Sequence, residues 1–170
     1  MKATSAKPKL HIRQMEFEDL EKVFRLGERL FTAEKWPSLY RTWDEYEPIS
    51  LFMTDGDFCW VAETDGKLVG FILGTIINKR RSSWRYGHVI WQGVEEGYKR
   101  QKIGSRLLNH LTKILIEHDV RMLLIDTDPN NETAVKFFKK HGFENEVEHV
   151  YMTKNLTDHP HYIKRSLTDQ

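Results

Sequence analysis

Cysteine is nearly absent from this chain of 170 residues, and Cys59 is its single example. One thiol cannot form an intramolecular disulfide or a cysteine-based zinc site, and no metal site is expected. Disulfide-free chains are typical of reducing compartments, which predicts a cytoplasmic protein. The first residues are not followed by an apolar run, so no signal peptide is expected. The longest nearly apolar stretch, residues 69–77, is too short to span a bilayer, so no membrane partner is expected.

An excess of charge of one sign is also lacking. The 26 Lys and Arg residues nearly balance the 25 Asp and Glu residues, and the formal net charge is +1. Proteins that bind nucleic acids carry excess positive charge for phosphate contacts, so no nucleic-acid partner is expected. The chain also lacks the Walker A pattern G-x-x-x-x-G-K-S/T and the dinucleotide pattern G-x-G-x-x-G. These absences argue against a P-loop or Rossmann nucleotide site.

The hydrophobic pattern predicts one folded domain between two polar ends. Residues 1–9 are polar and basic and are expected to be flexible, and residues 157–170 form a polar tail. The intervening residues 10–156 contain no internal repeat, and their number suits a single domain. The spacing of apolar residues predicts strands over residues 11–13, 58–64, 68–77, 88–94, 121–126 and 146–154, and helices over residues 19–31, 103–117 and 131–141.

The order of these elements predicts an α/β (α+β) fold. Residues 34–46, rich in Trp, Tyr and charge, are irregular or form a second short helix. Three consecutive strands joined by short turns favour antiparallel pairing, and the later helices require both faces of a mixed sheet. The strand–helix–strand unit over residues 88–126 must be a parallel crossover.

The junction between the strand over 88–94 and the helix over 103–117 is basic. A helix N-terminus leaves backbone N–H groups unpaired and carries the positive end of the helix dipole, so it favours phosphate. Positive charge is added there by Lys99, Arg100 and Lys102. Gly104 has no Cβ, so a phosphate could approach the first turn of the helix closely. The junction therefore predicts a phosphate site. The alternative is a solvated basic loop at the end of a core helix.

Three segments together resemble the GNAT superfamily of N-acetyltransferases. Residues 98–108, YKRQKIGSRLL, resemble the family's pyrophosphate loop, Q/R-x-x-G-x-G/A followed by a leucine-rich helix. Residues 131–143, NETAVKFFKKHGF, are similar to its block N-x-x-A-x-x-h-Y-x-x-x-G-F, where h is apolar. Residues 12–20, with Ile-Arg in the first strand and Asp-Leu opening the first helix, are the third match. Gly87-His88-Val89 makes the resemblance closest to RimI-like and archaeal Ard1-like protein N-terminal acetyltransferases.

This resemblance implies a GNAT-like sheet with a splayed central strand pair and the transfer of an acetyl group from acetyl-CoA to a primary amine in a ternary complex. The acceptor would be a protein or peptide, at an N-terminal α-amine or a lysine. The alternatives are an acetyltransferase of a small amine or polyamine and a non-catalytic acyl-CoA-binding regulatory module. Monomer and homodimer both remain open. The residues implied to bind acetyl-CoA are Gln92, Gly93, Val94, Lys99, Arg100, Gln101, Lys102, Ile103, Gly104, Ser105, Asn131 and Phe138.

The sequence departs from the family pattern in the loop and at the general acid. Lys99 stands at the Q/R position, and Lys102 stands at the first glycine, where it adds a cation but loses the easy backbone approach. Phe138 replaces the tyrosine that customarily protonates the CoA thiolate, and a phenyl ring cannot donate a proton. Tyr151 could replace that acid, or it is an ordinary half-buried strand tyrosine.

Two residues are candidates for the general base. His88 opens the central strand, and a histidine suits a base that acts through water. Asp126 ends the next strand at the position where RimI-like enzymes carry a glutamate. The alternatives are a partly buried structural histidine and a turn aspartate that bonds nearby backbone. The sequence does not choose between the two bases. Four aromatic residues lie where the family's acceptor groove forms and either line it or pack the first helices: Trp36, Tyr40, Trp43 and Tyr46.

Overall fold

The structure, a computed structural model, describes residues 9–32, 34–35, 42–79, 83–148, 150, 152 and 154–162. In this part of the chain five strands form one sheet in sequence order, β1-β2-β3-β4-β5. The first three pairings are antiparallel and the β4–β5 pairing is parallel. The strands are β1 (Leu10–Gln14), β2 (Cys59–Thr64), β3 (Lys67–Asn78), β4 (Arg85–Val94) and β5 (Val120–Ile125). The helices are α1 (Leu20–Leu30), α2 (Tyr46–Asp55), α3 (Ile103–Glu117) and α4 (Glu132–Lys140).

Helices cover both faces of the sheet, so the predicted mixed, mostly antiparallel fold is confirmed. On one face α1 and α2 pack on a core that includes Val23, Leu26 and Phe71. On the other face α3 buries five of the six residues that helical spacing places on its apolar face, and the sixth, Ile114, is half-buried; the five are Ile103, Leu107, Leu108, Leu111 and Leu115. Each face of the sheet thus has its own apolar layer, from which water is excluded. Because both faces are buried, alternate side chains of a strand pack in the two different layers.

Strand β4 changes faces at a β-bulge. Val89 lies opposite Gly74 and Trp91 lies opposite Leu73, so Ile90 is an extra residue on β4. Before the bulge, Val89 packs in the α3 core, whereas Trp91 after the bulge packs in the α1–α2 core. Side chains that would have shared one face in a regular strand are therefore divided between the two faces.

Strands β4 and β5 separate beyond Val89. The parallel register pairs Val89 with Ile125, the last residue of β5, whereas β4 continues to Val94. Residues 90–94 of β4 therefore pair with β3 on one side and with no described strand on the other. This confirms the splayed central pair, and it leaves backbone N–H and C=O groups along one edge of β4 available for other partners.

Helix α2 lies where no element had been predicted beyond residue 46. Asp44 begins it, because its Oδ1 accepts hydrogen bonds from the N–H groups of Tyr46 and Glu47 at 2.9 and 3.1 Å. Pro48 sits in the first helical turn, where the missing N–H costs nothing. In the sequence, the start of this helix is thus indicated by an aspartate four residues before a proline.

The predicted strand over residues 146–154 is wrong for the residues that the structure describes there. Those residues lie outside any strand, and Val147, Val150 and Met152 are 83%, 84% and 84% exposed. Residues three apart fall on opposite faces of a strand, so a strand could not bury both valines on one face. Tyr151 lies outside the described residues. In the described ranges, no helix combines the length and apolarity needed to cross a membrane.

Candidate active site

The two candidate bases are hydrogen-bond partners. His88 lies in β4 and Asp126 directly follows β5, and the parallel pairing of these strands brings the two side chains together. The distance from His88 Nε2 to Asp126 Oδ1 is 2.7 Å, and the side chains are 19% and 20% exposed. The sequence found both residues but treated them as alternatives, because it could not show that the β4–β5 register joins them.

Asp126 determines which imidazole nitrogen is available for chemistry. A carboxylate accepts hydrogen bonds, so in the neutral ring His88 Nε2 carries the proton and donates it to Asp126 Oδ1. The Nδ1 atom then keeps its lone pair, and no described group bonds to it. This arrangement presents a proton acceptor at the point where β4 and β5 separate.

The His88 side chain lies on the α1–α2 side of the sheet. In the β3–β4 register it lies opposite Thr75 of β3, whose hydroxyl donates to Asp55 of α2 at 2.8 Å. The preceding residue, Gly87, faces α3, and a Cβ there would lie 2.9 Å from Leu115 Cδ1. A side chain at position 87 would therefore displace Leu115, and His88, as the next residue of the strand, faces the opposite side.

The basic junction has the backbone shape of an anion site. Arg100 and Lys102 have φ values of +64° and +62°, in the left-handed region that favours glycine. Lys102 directly precedes α3, and its C=O accepts the first hydrogen bond of the helix from Arg106 N–H at 3.0 Å. No side chain caps this helix, so the first-turn N–H groups remain at its positive end. This left-handed backbone conformation explains why the family pattern has glycine at the position of Lys102.

Two of the three predicted loop cations remain available for a ligand. Lys99 forms an exposed ion pair with Glu96 at 2.9 Å. Arg100 and Lys102 are exposed and form no ion pair with any described residue. Gln101 is exposed between them, Ile103 is buried, and Ser105 is half-buried in the first turn of α3.

The side chain of Gln92 connects the splayed strand to this helix. Its Nε2 donates to Gly104 O at 2.9 Å, and a Cβ on Gly104 would lie 3.1 Å from that nitrogen and 3.6 Å from the Phe137 ring. Glycine at 104 therefore serves an internal contact as well as the expected approach of a phosphate. Gln92 Oε1 is buried and accepts no hydrogen bond among the described residues. Next to it Gly93 and Val94 end β4, and a Cβ on Gly93 would meet α1 at 2.7 Å.

Asn131 and Phe138, the predicted binding residues of the second family block, both make contacts within the fold. Asn131 caps α4, since its Oδ1 accepts from Ala134 N–H at 3.1 Å. Phe138 packs edge-on against Phe137 and Phe143, with ring centroids 5.1 and 5.3 Å away. The position of the customary acid therefore carries an apolar contact and no proton donor.

Of the four aromatic residues assigned to the acceptor groove, Trp43 belongs to the core. It is 8% exposed, donates from Nε1 to Phe24 O at 3.0 Å, and lies on Gly27, where a Cβ would meet its ring. Tyr46 is 70% exposed at the start of α2. Trp36 and Tyr40 lie outside the described residues.

Sequence reasoning missed one ionisable residue on this face, Glu47. Its Oε2 accepts a hydrogen bond from the indole N–H of Trp91 at 2.6 Å. The residue lies in the first turn of α2, which the apolar pattern did not reveal. Among the described residues, no cluster of three or more His, Cys, Asp or Glu side chains is suited to a metal ion.

Comparisons with known proteins agree with this geometry. An N-alpha-acetyltransferase of Sulfurisphaera tokodaii is 26% identical over 140 residues, which are 78% of this chain and 79% of that protein. Arabidopsis thaliana Naa50, solved with the bisubstrate analogue CoA-Ac-MVNAL, is 26% identical with a TM-score of 0.64, over 79% of this chain and 83% of that one.

A third relative shows the fold alone. The aminoglycoside acetyltransferase meta-AAC0020, from an uncultured soil metagenomic sample and solved with trehalose, has a TM-score of 0.68 at 20% identity, over 86% of this chain and 97% of that one. The model of the acetyltransferase (GNAT) family matches residues 28–143. That match spans most of the chain, including β4, the basic junction and Asp126, so the chain belongs to the GNAT family and is an acetyl-CoA-dependent acetyltransferase.

Proposed function

We propose that this enzyme acetylates the primary amine of a protein or peptide, with the hydrogen-bonded pair His88–Asp126 as its general base. The observation that carries the proposal is the 2.7 Å bond that leaves His88 Nδ1 as a proton acceptor beside the splay of β4 and β5. The relative from Sulfurisphaera tokodaii, an N-alpha-acetyltransferase, supports a peptide acceptor.

The residues around the splay fit acetyl-CoA, which supplies an activated acetyl thioester when it is bound. The uncapped first turn of α3, with Arg100 and Lys102, would hold the pyrophosphate. The free edge of β4 over residues 90–94 would hold the pantetheine amides through backbone hydrogen bonds. The buried Oε1 of Gln92 offers one further acceptor at the same place.

Proton removal is the first task of the protein. A primary amine is largely protonated at neutral pH, with a pKa near 8 for an α-amine and about 10 for lysine, and only the neutral amine can attack. His88 Nδ1 takes the proton, directly or through one water, and Asp126 stabilises the imidazolium that results. The C–N bond then forms and the C–S bond breaks, and backbone N–H groups at the β4 edge stabilise the developing charge on the carbonyl oxygen.

Departure of the thiolate needs no protein acid in this account. A thiol has a pKa of about 8.5, so its conjugate base is a tolerable leaving group at neutral pH. The positive end of α3 lies across from the β4 edge and stabilises negative charge. Phe138 offers no proton, and Tyr151 remains the alternative donor.

The test measures acetyl transfer by mass spectrometry with three acceptors: a peptide with a free N-terminus, the same peptide blocked there but bearing a lysine, and a polyamine. His88→Ala should lower kcat on the preferred acceptor by about 100-fold, the ordinary contribution of a general base. His11→Ala, at an exposed histidine in β1, is the matched control and should keep the wild-type rate. Preference for the polyamine over both peptides would contradict a peptide acceptor.

Phe138 favours one second candidate, an acyl-CoA-binding module without catalysis. In that case the purified protein would bind acetyl-CoA but transfer no acetyl group and hydrolyse no thioester, with or without an amine. Isothermal calorimetry and thiol release, measured on the same sample, separate the two functions.

A further inference from the structure

Glu47 is a half-buried carboxylate with no cationic partner. Its Oε2 accepts from the indole N–H of Trp91 at 2.6 Å, and its backbone N–H donates to Asp44. No Lys, Arg or His in the described ranges forms an ion pair with it. Asp19 and Glu63, by contrast, both pair with Arg13 at 2.6 and 2.7 Å. The half-buried Asp44 and Asp55 also lack an ion pair with any described residue, but each accepts two hydrogen bonds, whereas Glu47 accepts one.

A half-buried carboxylate has lost part of its hydration, and a neutral indole donor replaces only some of what is lost. The first turn of α2 contributes a further favourable interaction through the helix dipole. A second oxygen, Oε1, remains without a described donor. An incoming cation would restore the lost electrostatic stabilisation at this point.

The carboxylate lies on the same side of the sheet as His88, the side that α1 and α2 cover. Trp91, which holds it, is the first residue of β4 beyond the bulge, and its ring lies in the α1–α2 core. His88, three residues earlier, presents its side chain on the same side of the sheet. His88 and Trp91 therefore face the same side of the sheet, with the bulge between them, and Glu47 lies on that side through its bond to Trp91.

Aromatic rings adjoin the same carboxylate. The Trp91 ring lies 4.7 Å from Phe31 and 5.1 Å from Trp43, measured between centroids. Phe31 is half-buried at the end of α1. Trp91 and Trp43 are only 5% and 8% exposed, so these rings shield one side of the carboxylate from water and do not themselves meet a cation.

We propose that Glu47 is a specificity-determining residue that selects acceptors with a second positive charge beside the amine that is acetylated. The proposal rests on the proposed function, because it assumes that the amine is presented to His88. The second cation is a lysine or arginine side chain near the N-terminus of a peptide, or the second ammonium of a small diamine. The shared chemistry is an acceptor that is at least dicationic.

The test uses Glu47→Gln, which removes the charge but keeps an amide oxygen to accept the Trp91 N–H. Glu45→Gln, at an exposed glutamate two residues earlier, is the matched control. The acceptors form two matched pairs: peptides that differ only by lysine or norleucine at the second position, and 1,5-diaminopentane against pentylamine. The two pairs show whether the second cation comes from a peptide or from a small molecule.

Wild type and Glu45→Gln should favour the dicationic member of one pair by about tenfold in kcat/KM, equivalent to about 1.4 kcal/mol. Glu47→Gln should lose that preference and keep the wild-type kcat/KM for the monocationic member and the wild-type KM for acetyl-CoA. An unchanged preference in Glu47→Gln, or no preference in wild type, would overturn the proposal.

Calorimetric binding of the same acceptors keeps this result separate from the proposed function. If no amine is acetylated, the proposed function fails, yet a dicationic preference in Kd that disappears in Glu47→Gln still supports the role of Glu47. Equal affinities for both members of each pair would overturn it.

Discussion

His88 Nε2 and Asp126 Oδ1 lie 2.7 Å apart although 38 residues separate them in the chain. The bond exists because β4 and β5 run parallel through Val89 and Ile125 and then part. The same separation frees the edge of β4 that would hold the acyl donor. One topological feature thus places the proposed proton acceptor and the backbone groups proposed to bind the acyl donor side by side.

Replacement of Lys102 by glycine should stabilise the protein. The left-handed φ of +62° costs a residue with a side chain about 1–2 kcal/mol, and glycine avoids this cost. Glycine also makes the unfolded chain more flexible, so we expect a net gain of about 0.5–1 kcal/mol in the free energy of unfolding. Acetyl-CoA affinity should stay within about tenfold, because the backbone N–H groups remain. Urea denaturation and calorimetry measure the two quantities.

The control for this substitution is Lys99→Gly. Lys99 has φ −59° and ψ 157°, which any residue adopts, so glycine there relieves nothing. It should lower the free energy of unfolding by about 0.5–1 kcal/mol, mainly through backbone entropy, because the ion pair with Glu96 that it also removes is exposed and contributes little. Changes of the same sign in both variants would contradict strain at Lys102.

Alanine at Gly104 should weaken both the fold and acetyl-CoA binding. Its Cβ would lie 3.1 Å from Gln92 Nε2 and would disturb the bond that joins β4 to α3. We expect a loss of about 1–3 kcal/mol in the free energy of unfolding, as in other overpacked sites. The sign of this change in the free energy of unfolding is informative, because alanine normally stabilises a helix by about 1 kcal/mol relative to glycine. Gly97→Ala, where a Cβ meets nothing within 4 Å and the backbone is not left-handed, should instead raise the free energy of unfolding by about 0.4–1 kcal/mol and leave acetyl-CoA affinity unchanged.

The acid stability of the fold should depend on Asp19. Burial raises the pKa of this carboxyl. It is outweighed by the sum of two hydrogen bonds from Arg13, at 2.6 and 2.9 Å, one from the backbone N–H of Glu16, at 2.9 Å, and the nearby positive charges, which together hold the pKa below its ordinary value. Arg13 likewise lowers the pKa of Glu63. Because both pKa values are lower in the folded state, their stabilisation is complete above about pH 4 and is lost as the pH falls through the folded-state values.

Asp19→Asn should lower the free energy of unfolding at pH 7 by about 3 kcal/mol, since it removes one partner from a buried ion pair. Its further loss of stability between about pH 5 and pH 2 should be smaller than that of wild type. Glu18→Gln, at the exposed neighbouring residue, is the control. Parallel pH profiles for wild type and Asp19→Asn, measured by urea denaturation, would contradict this account.

Strong local patterns made much of the fold predictable. Helix α3 was predicted over its full length because five buried apolar residues recur at helical spacing. The helix predicted over residues 131–141 is α4, which Asn131 caps and which ends just before Gly142, at φ +84°. These features depend on residues that are close in sequence.

Features that depend on pairing between distant segments could not be predicted. The bulge at Ile90 exists only in the register of β4 against β3, and the His88–Asp126 bond exists only in the register of β4 against β5. Glu47 was missed because α2 starts with an Asp44 cap and Pro48 and shows little apolar periodicity. The left-handed backbone conformation of Lys102 could not be predicted, because lysine rarely adopts it.

The most direct test of the central claim is a double-mutant cycle on kcat with His88→Ala, Asp126→Ala and the double variant, measured on one acceptor at saturating acetyl-CoA. If the two residues act as one base, either single substitution removes most of its effect, and the double variant is no slower than the His88 variant. The expected loss is about 100-fold in each single variant, with unchanged affinity for acetyl-CoA. Losses that multiply in the double variant, or a wild-type rate in either single variant, would contradict the account.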